Sequence, residues 1–95
     1  GRVFDRALKQ MRDMVRARRY IVTQHAEEEM ADDDMSIYDV EHAVLTGKII
    51  ARQKDRQTGE WKYLVQGRPH AGDDLVVVVK IGPTRKLVIV TVYLA

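Results

Sequence analysis

Apolar residues at Val3, Phe4, Ala7, Leu8, Met11, Met14 and Val15 recur at three- and four-residue intervals, which predicts an amphipathic helix from Val3 to about Arg18. Tyr20-Ile21-Val22 is a short β-prone segment, and Thr23 is placed to cap a second helix from Gln24 to about Asp33. Ser36 with Asp39 three residues on reads as a variant capping box that opens a third helix through Val40, Ala43, Val44 and Leu45. Thr46-Gly47 ends it, with Gly47 expected as a left-handed C-cap. So short a link near Asp34 makes the second and third helices a tight hairpin.

After Gly47 the period changes to two. Lys48 to Arg52 begins a strand, Lys54 to Gly59 a polar turn, and Glu60 to Arg68 a strand with Trp61, Tyr63 and Val65 on one side and Lys62, Leu64, Gln66 and Arg68 on the other. A loop over Pro69 to Asp73 leads to a strand from Asp74 to Ile81. A turn at Gly82-Pro83-Thr84-Arg85 then precedes a last strand from Lys86 to Leu94. Strict alternation puts Val88, Val90 and Val92 on one side of that strand and Leu87, Ile89 and Tyr93 on the other, so both sides are apolar and a second cover is expected beyond the helices. The pattern as a whole is α+β: two to three N-terminal helices on a four- to five-stranded antiparallel sheet.

At 95 residues the chain has room for one core, so residues 1–95 are read as a single domain. Cysteine is absent, which removes disulfides and thiolate metal sites and leaves burial to stabilise the fold. The longest apolar run, Leu75 to Val79, is far short of the roughly 20 residues a membrane helix needs. The N-terminal stretch lacks a signal-peptide core. A cytoplasmic protein without a membrane partner is the expectation. Net charge is only +2, so its distribution matters more than its sum.

Arg2, Arg6, Lys9, Arg12, Arg16 and Arg19 share one sector of the first helix, a basic ridge that suits either a solvated exterior or a phosphate-binding surface. His25, in the first turn of the second helix, has a ring that can act as acid, base or phosphate ligand near neutral pH, or can be structural. His25 with Glu28 or Glu29 has the spacing of two metal ligands, but His42 and His70 lie in other elements and there is no paired-histidine motif, so neither a metal nor a cofactor is expected. The acidic run Glu27, Glu28, Glu29, Asp32, Asp33 and Asp34 is read as a solvated helix surface. Lys62, Arg68 and Lys80 sit on strands that can aim a cation at a phosphate, and Thr91 with Tyr93 can hydrogen-bond one. Nothing resembles a phosphate-binding glycine loop or a nucleophile elbow, which excludes the common nucleotide-hydrolysing classes.

Thr23-Gln24-His25-Ala26 with Met30, then Ile37, Asp39-Val40, Ala43 and Gly47-Lys48-Ile49-Ile50, resemble the family catalogued as domain of unknown function 4258. So do Tyr63-Leu64-Val65, Gly67-Arg68 and Val88-Ile89-Val90-Thr91-Val92-Tyr93. The likeness runs from about Tyr20 to Tyr93. It implies the RelE-like or MqsR-like toxin fold, cytoplasmic bacterial location, metal-independent RNA cleavage and an antitoxin partner. It also implies a histidine near the start of the fourth strand, where this chain has Leu75-Val76-Val77. In the ribonuclease reading His25 is base or acid, Arg68 and Lys80 stabilise the phosphorane, Tyr93 positions substrate or serves as acid, and Arg6, Lys9, Arg12 and Arg16 bind RNA. The alternatives are a non-catalytic module that binds RNA, a ribosome or a protein, and a self-associating domain forming homo-oligomers.

Overall fold

A computed structural model describes residues 3–95, which form three helices and five strands: α1 (Asp5–Arg16), β1 (Tyr20–Val22), α2 (Gln24–Asp32), α3 (Ile37–Thr46), β2 (Lys48–Lys54), β3 (Trp61–Gly67), β4 (Leu75–Ile81) and β5 (Leu87–Leu94). Arg2 of the basic ridge lies outside the described residues. The two predicted N-caps form. Thr23 Oγ1 accepts from the Ala26 N–H at 3.1 Å. Ser36 and Asp39 exchange side-chain and backbone hydrogen bonds as a complete capping box. No helix among the described residues is long and apolar enough to cross a membrane.

The strands form one sheet in the order β1-β5-β4-β3-β2. Four run antiparallel as expected, but β1 joins the edge parallel to β5, pairing Tyr20 with Leu87 and Val22 with Ile89. The buried residues of all three helices, Met11, Val15, Ala26, Met30, Val40, Ala43 and Val44, form one apolar cluster with Val65, Leu75, Val77, Val79, Leu87, Ile89 and Val92. The helices therefore lie on one face of the sheet.

β5 does not alternate strictly, as its sequence suggests it should. Val78 pairs with Thr91 and Val79 with Ile89, so Val90 is a bulge, and beyond it the facing inverts. Val92 joins Leu87 and Ile89 in the core, while Thr91 and Tyr93 turn to the far face. There Val76 and Val78 are flanked by their cross-strand neighbours Gln66, Leu64, Tyr93 and Thr91, and no second layer covers them among the described residues.

Gly47 also departs from expectation. Its φ of −90° and ψ of −171° are extended, not left-handed. Glycine is required there because α3 ends against β3: a Cβ would sit on the carbonyl oxygens of Gln66 and Ala43. Gly67 faces the same helix, and a Cβ on it would meet the carbonyl of Ala43. The two glycines thus let the C-terminal turn of α3 lie directly on the sheet backbone. Arg12 of α1 holds this junction from the other side, donating to the carbonyl of Val44 (3.3 Å), an acceptor that α3 leaves open in its last turn, and to that of Gly47 just beyond the helix (2.6 Å).

Candidate functional site

The thin edge of β5 explains where His25 sits. β1 is only three residues long, so β5 beyond Ile89 has no strand neighbour on that side, and α2 takes its place. Thr23 donates its N–H to Ile89 O and its hydroxyl to Val90 O. Farther along α2, Glu29 Oε1 accepts from the Val92 N–H at 3.1 Å and from Thr91 Oγ1 at 3.0 Å. The same oxygen lies 3.3 Å from His25 Nε2, with the His25 side chain about two-thirds exposed and Glu29 about one-quarter exposed. A carboxylate fixed by β5 thereby orients an accessible imidazole, an arrangement able to hold or pass a proton.

Arg68 lies in a different group, where α3 meets the end of β3. Its N–H donates to Thr46 Oγ1 at 3.2 Å, and its carbonyl accepts from His42 Nδ1 at 2.7 Å. A carbonyl only accepts, so Nδ1 carries the proton and Nε2 of a neutral His42 is left as the acceptor. His70 stacks on His42 with ring centroids 4.7 Å apart, and its N–H donates to Asp39 Oδ1. Asp39 is held below the usual carboxylate range, chiefly by the Ser36 N–H and then by that of His70. Sequence spacing does not reveal this histidine pair, because its partners are 28 positions apart and meet only through the α3–β3 crossing.

Lys80 and Tyr93 both lie on the sheet face away from the helices, yet at different levels. Tyr93 pairs with Val76 and Lys80 with Val88, four residues along β4 and so roughly 13 Å apart. Lys80 Nζ is engaged by Glu60 at 3.5 Å. Of the four expected catalytic residues, only His25 is joined to Glu29 and through it to Thr91; Tyr93 shares the Thr91 face of β5 without a hydrogen bond to that group. Arg68 and Lys80 belong to other contact groups. Among the described residues no group of three or more His, Asp or Glu is arranged to hold a metal ion.

The cations of α1 fare unevenly. Lys9, Arg12 and Arg16 line one concavity of about 280 Å³ together with Asp5 and Leu8. Arg12 is also committed to the α3 carbonyls, while Lys9 and Arg16 flank Asp13 at 3.0 and 3.6 Å. Arg6 is exposed and has no ion-pair partner among the described residues. A larger cleft of about 500 Å³ lies between the end of α1 and the β4–β5 turn, lined by Asp13, Arg19, Ile81 and Arg85 among others, and holds none of the expected catalytic residues.

One partly buried polar contact fixes β1 under α3. Tyr20 donates its hydroxyl to Glu41 Oε2 at 2.6 Å, and burial, reinforced by that carboxylate, pushes its pKa up to about 12. An ordinary unfolded tyrosine titrates near 10. The folded state therefore keeps the proton that the unfolded chain releases, so this contact stabilises fully below pH 10 and loses its contribution between about 10 and 12. Tyr20→Phe is expected to flatten that part of the stability-versus-pH curve, measured by urea unfolding from about pH 9 to 11; an alkaline limb identical in slope to the wild type would refute the assignment.

The family model described as Domain of unknown function (DUF4258) matches residues 22–94 of the chain, beginning at the end of β1 and omitting α1. No curated protein matches significantly, and no solved structure does.

Proposed function

The chain belongs to the DUF4258 family, and on that premise we propose that it is an RNA-binding domain that holds a strand rather than cuts it. The observation that carries this reading is the segregation of charge along the fold. From Tyr20 to Gly47 there is no lysine or arginine, while Glu27, Glu28, Glu29, Asp32, Asp33, Asp34, Asp39 and Glu41 all fall there. The positive charge is gathered instead on α1 and on the β2–β3 hairpin, which has Lys48, Arg52, Lys54, Arg56 and Lys62 against only Asp55 and Glu60. A net charge of +2 conceals two basic elements beside an acidic helical hairpin. Phosphates are drawn to the first and repelled by the second over a Debye length of about 10 Å.

That repulsion bears on catalysis. His25 stands in the acidic helix, and a scissile phosphate placed there would face Glu28, Glu29 and Asp32 without a cation from Arg68 or Lys80 at hand. The start of β4, Leu75-Val76-Val77, is buried and apolar and supplies no proton-transfer group. A second reading, the RelE-like ribonuclease of a toxin–antitoxin pair, draws support from the Glu29-oriented His25 and keeps that residue as base or acid. Labelled single-stranded RNA separates the two. Binding by fluorescence anisotropy is expected at low salt, weakening with a log–log slope of about −0.7 for each phosphate neutralised, with the RNA intact on a denaturing gel. Cleavage abolished by His25→Ala would favour the ribonuclease instead, and absence of binding at low salt would sink both.

A further inference from the structure

Within the β2–β3 hairpin, Trp61 occupies an unusual position for an apolar residue. It is the protein's only tryptophan, lies at the start of β3, pairs with Lys54 on the outer strand, and is 42% exposed. Strand alternation puts Arg52, Lys54, Trp61 and Tyr63 on one face of the hairpin. The Arg52 guanidinium stands 4.0 Å from the indole centroid and the Lys54 ammonium 5.7 Å from it. Neither cation has a carboxylate partner among the described residues, because the hairpin's two acids are taken elsewhere: Asp55 by Lys62 at 3.4 Å and Glu60 by Lys80 at 3.5 Å. The result is a partly exposed indole with the Arg52 guanidinium stacked on it and the Lys54 ammonium nearby, neither cation holding a carboxylate partner among the described residues, beside the edge strand β2.

We infer that Trp61, Arg52 and Lys54 form a subsite for an unpaired base and its adjoining phosphates, so that the ligand of the binding surface is single-stranded RNA. This rests on the RNA-binding reading above and adds to it the state of the strand. An exposed indole offers a π-face on which any base can stack, and the guanidinium behind it both stiffens the ring and meets the backbone charge. Bases in a duplex are already stacked on one another and cannot reach such a platform. A cation–π pair that merely steadied the hairpin would place no demand on strandedness.

Because Trp61 is the sole indole, its fluorescence reports this subsite directly. Titrating the full chain with an oligouridine of about 12 nucleotides is expected to quench the emission, and a perfectly paired RNA duplex of equal length to leave it nearly unchanged. In anisotropy with the labelled oligouridine, Trp61→Ala is expected to weaken binding about tenfold, with Trp61→Phe recovering most of it. Arg52→Gln and Lys54→Gln are each expected to reduce the salt slope by about 0.7, whereas Trp61→Ala leaves that slope in place. Circular dichroism of each variant confirms that the fold is retained. Oligouridine binding by anisotropy without quenching, or equal quenching by duplex, overturns the subsite while the RNA-binding reading stands; no binding of either RNA overturns both.

Discussion

Gly67→Ala is expected to lower stability by on the order of 3 kcal/mol, near the upper end of what overpacking costs, and to reduce the melting temperature by roughly 12–24 °C for a domain of this size. The added methyl would meet the carbonyl oxygen, carbonyl carbon and Cα of Ala43. All three are backbone atoms of a helix that is itself pinned: Val40, Ala43 and Val44 are buried, and Arg12 anchors the carbonyls at its end. A flexible side chain would move aside, but here α3 must lift from the sheet. Gly72→Ala provides the control. Gly72 has φ of +97° and open space where a methyl would project, so its cost is backbone strain alone, about 1–2 kcal/mol. Denaturant unfolding of the two variants measures the difference, and equal losses would show that α3 does not rest on the β3 backbone.

The order of the elements is legible in the sequence because it is local. Three-and-four spacing, Thr23, and the Ser36–Asp39 box mark the helices, and the switch to period two after Gly47 marks the strands. What sequence reading misses needs partners distant along the chain. Tyr20-Ile21-Val22 shows β propensity, but its parallel pairing with Leu87 to Ile89 depends on α1 and α2 lying on one face. The Val90 bulge is invisible in a valine-rich run, since one inserted residue inverts every facing beyond it while leaving the composition unchanged. Gly47 is marked by its sequence for the wrong reason. A glycine after a helix signals a left-handed cap, and only the packed α3–β3 junction shows that missing volume, not φ, is what the position requires.

The candidate sites divide in the same way. His25 is conspicuous as a lone ionisable ring at a helix start, yet the partner that orients it, Glu29, is hidden in a run of acids that reads as solvated. Its distinction is the open edge of β5, which no pattern in α2 announces. Trp61 likewise reads as one more apolar residue on the inner face of β3. At the start of that strand Trp61 is 42% exposed although it shares the inner face with Tyr63, which packs against the core and Phe4. Charge shows the opposite limitation. The sum of +2 suggests little, and the separation of acidic from basic hairpin gains meaning only once α2 is placed beside β5 and β2 at the far end of the strand order.

Glu29 lets the structural and chemical roles of the His25 region be told apart. Its Oε1 satisfies the N–H of Val92, a fully buried residue, and the Thr91 hydroxyl, so Glu29→Ala strands a donor at the unprotected edge of β5. Hydrogen bonds to a charged acceptor contribute about 1.5–3 kcal/mol each, and partial exposure of Glu29 reduces what two of them give, so the expected loss is about 2–3 kcal/mol. Glu29→Gln retains an oxygen acceptor in the same place and should lose about 1 kcal/mol, while removing the negative charge beside His25. His25→Ala takes away an exposed ring and should change stability by less than about 0.5 kcal/mol. Hydrogen exchange supplies the local readout. The Val92 amide is expected to lose protection in Glu29→Ala and keep it in Glu29→Gln and His25→Ala. If Val92 stays protected in Glu29→Ala, the carboxylate is not what closes the β5 edge, and its hold on His25 would then need another cause. If instead protection is lost while RNA binding persists, Glu29 belongs to the scaffold and the acidic helix stands apart from the strand the basic hairpin holds.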